Sequence, residues 1–291
     1  MTQLSPVTNC KECSLPIAIN NRLNMDEDEC FVSVITSTYN CSKKIIETSV
    51  SMTEIKKKYR NKIQWIVVDG GSDDDTLGFI EANKSLISEL IIEQDSGIYD
   101  AWNKGLKRVR GTWVIFLGAG DRLPVKWIET LLISDSKYEL IYADLKILNS
   151  KKDFIKKNTP WKIARKEIKK SMCLLHPGMA HNKKIFLCND SFNQNFKIIS
   201  DWIFLREANI FKAKYCSGEI QAEFRMDGIS STFTGQKKTY LEKKIYLKGI
   251  NKKVPLRESV KYTCMCIFGE FIYSKLLIII KYFLASSFIN K

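Results

Sequence analysis

Short apolar, β-branched runs recur along the first half of this chain, and each stops at small, polar or acidic residues. Phe31-Val32-Ser33-Val34-Ile35-Thr36 runs into Tyr39-Asn40. Ile63 to Val68 stops at Asp69-Gly70-Gly71-Ser72, Leu90-Ile91-Ile92 precedes Asp95, and Trp113 to Leu117 stops at Gly118-Ala119-Gly120-Asp121. Leu140-Ile141-Tyr142 is a fifth run. Runs of this length suit strands buried on both faces. Helical segments fall between them: Ser42, a candidate N-cap, to about Tyr59; about Thr76 to Asn83; about Tyr99 to Val109; and one opened by Pro124. Strands alternating with helices build βαβ units on a parallel sheet. Right-handed crossovers bring the strands' C-terminal ends to one edge, where open α/β sheets bind ligands. The polar groups Thr36-Tyr39-Asn40, Asp69, Asp95 and Asp121 are expected together on that edge.

Charge divides the chain. The 291 residues carry a net +14, and residues 235–291 hold twelve Lys and Arg against three Glu, a net +9. Such a charge implies an anionic partner or surface. Residues 1–29 are polar, contain Pro6 and Pro16, and form an N-terminal arm. Residues 30–234 are expected to form one α/β domain, in halves 30–145 and 146–234, and 235–291 a basic and apolar C-terminal segment. From Cys264 to Ile289 the segment is apolar but broken by Glu270, Lys275 and Lys281. A spanning helix wants about twenty apolar residues without such charges. An in-plane amphipathic helix with snorkelling lysines on an anionic membrane fits better. The alternative is a helix packed on the α/β domain, or at a homodimer interface.

Composition and motifs weigh against other classes. A nucleic-acid-binding module is suggested by the charge and by 11% aromatic residues, but the chain carries no recognition motif and its basic residues lie beside an apolar run. A dinucleotide-dependent oxidoreductase needs GxGxxG after the first strand, where Thr36-Ser37-Thr38-Tyr39-Asn40 stands. The nine cysteines are odd in number and follow no framework spacing, so reduced thiols in a cytosolic compartment are expected. Cys10 and Cys13 form a CxxC without the second pair that zinc would want.

The motifs together are specific. Val34 to Asn40, Val67-Val68-Asp69-Gly70-Gly71-Ser72, Asp95-Ser96-Gly97-Ile98-Tyr99-Asp100-Ala101-Trp102-Asn103-Lys104-Gly105 and Arg110 to Asp121 follow one another, and His176-Pro177-Gly178, Ser200-Asp201-Trp202 and Phe224 to Ser231 continue them. In this order and spacing, residues from about 31 to 232 resemble the family 2 glycosyltransferases. The resemblance implies a GT-A fold, a Rossmann-like, mostly parallel sheet flanked by helices. It also implies inverting transfer of a sugar from a nucleotide diphosphate donor, UDP-linked by expectation, to a hydroxyl of a glycan or polyprenyl-diphosphate-linked acceptor. Peripheral attachment to the inner face of the cell membrane goes with that acceptor.

By the same resemblance, Thr36, Tyr39 and Asn40 wall the base pocket, and Asp69 accepts hydrogen bonds from base or ribose. Asp95 and Asp100 hold ribose hydroxyls or orient the charge clamp, and Asn103 and Lys104 approach the pyrophosphate. Asp121 ligates Mg²⁺ or Mn²⁺. The first acidic position of the family's metal motif is Ala119 here, so an inactive homologue is a further alternative. His176 stands near acceptor or diphosphate, and Asp201 is the general base. Simpler roles compete: a turn residue for Asp69, an i,i+4 ion pair for Asp100 and Lys104, N-caps for Asp121 and Asp201, and packing for His176.

Overall fold

A computed structural model describes residues 30–149, 152–188, 191–208, 210–226, 228–270 and 272. The expected N-terminal arm with Cys10 and Cys13, and nearly all of the apolar run beyond Glu270, lie outside the described residues. Cys30, Cys41, Cys173, Cys216, Cys264 and Cys266 are free thiols.

The first half alternates as the apolar runs require: β1 (Val32–Thr38), α1 (Ser42–Tyr59), β2 (Ile63–Asp69), α2 (Thr76–Ala82), β3 (Glu89–Ile92), α3 (Ile98–Leu106), β4 (Trp113–Gly118), α4 (Val125–Leu132) and β5 (Leu140–Leu148). The second half adds β6 (Phe154–Lys156), α5 (Trp161–Glu167), β7 (Ala180–Asn182), α6 (Lys184–Cys188), α7 (Ser200–Glu207), β8 (Ala213–Arg225) and α8 (Phe233–Gly249). A further helix covers 256–270.

The sheet runs β3-β2-β1-β4-β7-β5-β6, with β8 on the other side of β5. β1 to β4 are mutually parallel, with Thr38 opposite Asp69 and Ser37 opposite Gly118. The loops after all four strands therefore share one edge. β7 runs antiparallel between β4 and β5, which restores β5 to the direction of β4. The fold is the expected α/β one with a mostly parallel sheet.

Helices cover both faces. Ile45, Met52 and Ile55 of α1 and Trp127 of α4 pack on one side with Val34 and Trp65. Trp102 of α3 and Trp202 to Leu205 of α7 pack on the other with Ile35 and Phe116. β5 extends six residues beyond the apolar run seen in sequence, because β8 pairs along its full length past Asp144 and Lys146. Ser42 does not cap α1. Cys41 precedes the helix, and Asp74 and Thr76, from the loop after β2, accept from the backbone N–H groups of Ser42 and Cys41 at 3.2 and 2.8 Å.

No helix among the described residues is long and apolar enough to cross a membrane.

Candidate active site

The loops after β1 and β2 are built around one carboxylate. Asp69 ends β2 and is fully buried. Its Oδ1 accepts from Gly71 N at 3.0 Å and Ser72 N at 2.8 Å, and its Oδ2 from the Thr38 and Ser72 hydroxyls, both at 2.7 Å. Four bonds fill a carboxylate's accepting capacity. Asp69 thus stands at the expected strand end, and its oxygens shape the loops after β1 and β2. Asn40 joins the same knot. At φ 45°, a region asparagine tolerates, it accepts from Asp73 N through Oδ1 at 3.0 Å, and its own N–H reaches Ser72 Oγ at 2.9 Å.

Thr36 corrects another expectation. Strand alternation turns it into the core, fully buried, where its hydroxyl accepts from Trp65 Nε1 at 3.0 Å. Ser37, partly exposed, takes its place at the edge. Tyr39 stands on the rim with 63% of its surface exposed.

The next loop leans against this one. Asp95 accepts from Gly97 N at 2.8 Å, and a Cβ added to Gly70 would lie 2.5 Å from Asp95 Oδ2. Only glycine permits that approach. Burial pushes the Asp95 carboxyl upward, helped by Asp100 and Asp69 and opposed by the Gly97 N–H and Lys104.

In α3 the helical period divides the motif. Tyr99, Trp102 and Asn103 share the buried face. Asn103 faces inward, its amide exchanging bonds of 2.7 and 2.9 Å with the backbone of Phe192. Asp100 accepts from Ser96 N at 2.9 Å and from Gln194 Nε2 at 3.1 Å. Lys104 donates to Gln94 O at 2.6 Å and pairs with Glu93 at 3.3 Å, while Asp100 is 4.0 Å away. Asn103 and Lys104 therefore fasten the neighbouring loops.

At the end of β4, Asp121 is largely buried. Thr48 of α1 holds this loop: its hydroxyl donates to Asp121 O at 2.9 Å and accepts from Gly120 N at 2.9 Å. Gly120 takes φ +101°, a conformation that favours glycine. Asp121 does not cap α4, whose N-cap is Pro124. Thr48 was not among the expected site residues. A polar residue in the buried stripe of Ile45, Met52 and Ile55 is the signal that could have found it.

His176 lies inside an aromatic box, stacked on Trp102 at 5.4 Å and Phe116 at 5.8 Å, with His181 at 5.1 Å. Burial pushes its pKa down to about 4, so the ring is neutral at pH 7. It packs beneath α3, against Trp102.

Asp201 differs from all of these. It lies in the first turn of α7, whose N-cap is Ile199, so it is not the capping residue. The backbone N–H groups of Lys197, Ile198 and Ile199 are taken by Glu242 of α8 at 2.9 to 3.3 Å. Asp201 Oδ1 accepts from Trp202 N at 2.7 Å and lies 3.1 Å from the Tyr99 hydroxyl. Oδ2 has no bond among the described residues. Burial pushes the carboxyl up to about 6, against the lowering effect of the Trp202 N–H and Tyr99. The side chain lines a cavity of about 340 Å³.

The sequence profile of Glycosyl transferase family 2 matches residues 33–207, more than half of the chain, and the chain belongs to that family. Among curated relatives, a PGL/p-HBAD biosynthesis glycosyltransferase of Mycobacterium tuberculosis is 26% identical over 164 residues, 53% of this chain and 60% of that protein. The dolichyl-phosphate beta-glucosyltransferase of Saccharomyces cerevisiae is 26% identical over 132 residues, 42% of this chain and 40% of the relative. The chain thus spans about 60% of the length of the mycobacterial relative. Two solved structures share the fold. S. aureus TarS 1–349 in complex with UDP has a TM-score of 0.55 at 20% identity, covering 73% of this chain and 65% of that one. The mannosyltransferase PcManGT of Pyrobaculum calidifontis, with GDP-Man and Mn²⁺, has 0.56 at 14%, covering 93% and 88%.

Proposed function

We propose that the chain transfers one sugar, with inversion, from a uridine diphosphate sugar to a hydroxyl of a glycan or lipid-linked acceptor. The carrying observation is Asp201, a carboxylate with one oxygen fixed, the other open, and a raised pKa, set beside a cavity. As the acceptor oxygen bonds to the anomeric carbon, its proton passes to Asp201 Oδ2 while the nucleoside diphosphate leaves on the opposite side. The donor lies along the strand-end loops, its base against the exposed Tyr39 and its ribose near Ser37 and Asp95. The UDP and UDP-GlcNAc complexes of TarS support the choice of nucleotide.

Asp121 fits a metal as a single ligand. Among the described residues no three His, Cys, Asp or Glu side chains cluster to hold one. Mg²⁺ or Mn²⁺ would be held by Asp121 jointly with diphosphate oxygens and water. When bound it neutralises charge on the leaving group, and the Mn²⁺ in PcManGT agrees with this.

Attachment to the inner face of the cell membrane belongs to the same proposal. It draws on the net +9 of residues 235–291 and on exposed Leu241, Ile245, Leu256, Val260 and Ile267 along the two last described helices. The lipid phosphate in the yeast relative's name points the same way.

The test is thermal melting of the full chain with UDP-GlcNAc, UDP-glucose and GDP-mannose, with and without Mn²⁺. A hundredfold excess over Kd raises stability by about 2.7 kcal/mol. If no nucleotide moves the melting temperature at about millimolar concentration, the donor assignment is rejected.

A further inference from the structure

The cavity beside Asp201 is walled mostly by residues outside the matched family segment. Gln236, Thr239 and Tyr240 come from α8, and Glu258, Tyr262 and Met265 from the helix over 256–270. From these walls we infer that the cavity is the acceptor subsite and takes a neutral sugar ring carrying an apolar aglycone. The inference rests on Asp201 being the base and adds the class of molecule presented to it.

Three observations converge. First, the two helices are fixed to α7, the helix that carries Asp201. Lys243 is buried, meets both Glu258 oxygens at 2.6 and 2.7 Å, and lies 4.7 Å over the ring of Trp202. Glu242 binds the three backbone N–H groups just before α7. Tyr240 and Tyr262 stack at 4.2 Å and 11° across the two helices. The wall is therefore built, and its parts are placed relative to the carboxylate.

Second, the lining has the make-up of an amphiphile site. Met172, Ile198 and Met265 supply apolar surface, while Gln236, Thr239 and Ser230 supply groups that can meet sugar hydroxyls. About 340 Å³ is at the lower end of small-ligand sites, room for one ring and the start of an aglycone.

Third, the charges disfavour an anionic occupant. Asp201 and Glu258 line the cavity, and Lys261 is the cation among the lining residues. The charge of Lys243 is met by Glu258. Lys243 and Glu258 cancel each other, and Asp201 with Lys261 leaves no surplus of positive charge to hold a diphosphate, so any phosphate on the acceptor belongs beyond the cavity.

The test is titration of the full chain with phenyl and hexyl β-glycosides of glucose, galactose and N-acetylglucosamine, and with the free sugars, followed by tryptophan fluorescence and ligand-observed NMR. At least one glycoside should bind about tenfold or more tightly than its free sugar, as added apolar contact in a pocket provides. Thr239→Phe, which fills the cavity from α8, should weaken that binding by about tenfold or more and leave the UDP melting shift unchanged. Should Thr239→Phe fail to fold, Tyr262→Ala opens the wall and is expected to weaken binding too. Glycosides that do not bind, that bind no better than free sugars, or that bind both variants as well as the native chain overturn the inference. Glycoside binding without any nucleotide shift supports the ligand class and rejects the donor reading instead.

Discussion

The Tyr99 hydroxyl stands between Ile198 O, at 2.7 Å, and Asp201 Oδ1, at 3.1 Å, so the first turn of α3 and the start of α7 share one proton donor. The donor-side motif that begins at Asp95 is thereby tied to the proposed base. Asp201→Asn should lower kcat by about 10²- to 10⁴-fold, as loss of a general base does, and keep the UDP melting shift. In the native chain kcat/KM should fall below about pH 6, where Asp201 takes up its proton. Tyr99→Phe removes a bond that lowers this pKa, so the acid limb should move to higher pH. An Asp201→Asn enzyme with ordinary turnover would end its assignment as base.

His176 predicts a stability effect of known sign. Its pKa falls from the ordinary value of 6.5 to about 4 on burial, so between those values the unfolded chain binds more protons than the folded one. Its contribution is fully present above about pH 6.5 and is lost as pH falls toward 4, by up to about 1.4 kcal/mol per pH unit. His176→Phe keeps a ring against Trp102 and does not titrate, so the variant should melt less steeply with acid over that window. Parallel melting curves for the two proteins from pH 7 to 4.5 would contradict the buried, neutral ring.

Asp69 should behave as a structural residue, and Gly70 as one that shapes the proposed donor site. Asp69→Ala leaves the Gly71 and Ser72 N–H groups and the Thr38 hydroxyl without their buried acceptor, at a cost of about 1–3 kcal/mol for each group that finds no substitute. Gly70→Ala drives a methyl into the Asp95 carboxylate and should weaken UDP binding more than it lowers melting. Denaturant titration beside UDP calorimetry separates the two effects.

If Asp121 is the single protein ligand, as proposed, metal binding should depend on the nucleotide. Isothermal titration should find weak Mn²⁺ binding without UDP and tighter binding with it. Ala119→Asp adds a second acidic group beside Gly120 and should strengthen binding without UDP, while Asp121→Asn should remove the metal's enhancement of the UDP shift. Equal Mn²⁺ affinity in all three proteins would place the cation elsewhere.

Membrane attachment is best tested by ending the chain at Glu270, because an earlier stop would remove Tyr262 or Met265 from the cavity. The shortened protein keeps the exposed apolar residues of the last two described helices and should bind anionic vesicles more weakly than the full chain, and salt should loosen both, since each basic residue near such a surface contributes about 1 kcal/mol. Equal pelleting of the two proteins would move the attachment to the exposed residues of α8 and the helix after it.

The strands and their shared edge were legible in sequence because runs such as Ile63 to Val68 are apolar without interruption and end abruptly. The helix start near Asp201 was legible from its motif. The inward turn of Thr36 could have been read from strand alternation, and that of Asn103 from its helical spacing to Tyr99. What could not be read was pairing over distance. Nothing local shows that Asp69 meets Thr38, that Lys104 fastens Gln94, or that Glu242 serves α7. β7 was missed because three residues, Ala180–Asn182, carry no period. β5 was read short because its partner β8 lies about seventy residues further on.

The lysine buried between Trp202 and Glu258 has an engineering consequence. Residues 228–270 are fastened to the family segment through Glu242, on the N–H groups before α7, and through Lys243 and Tyr246, on Trp202. Replacing them with the corresponding stretch of a relative should exchange acceptor preference while leaving the nucleotide loops alone, provided the graft brings a lysine and acid able to seat on Trp202. A graft lacking that pair would leave the aromatic ring facing solvent and the helix of Asp201 unsupported on one side.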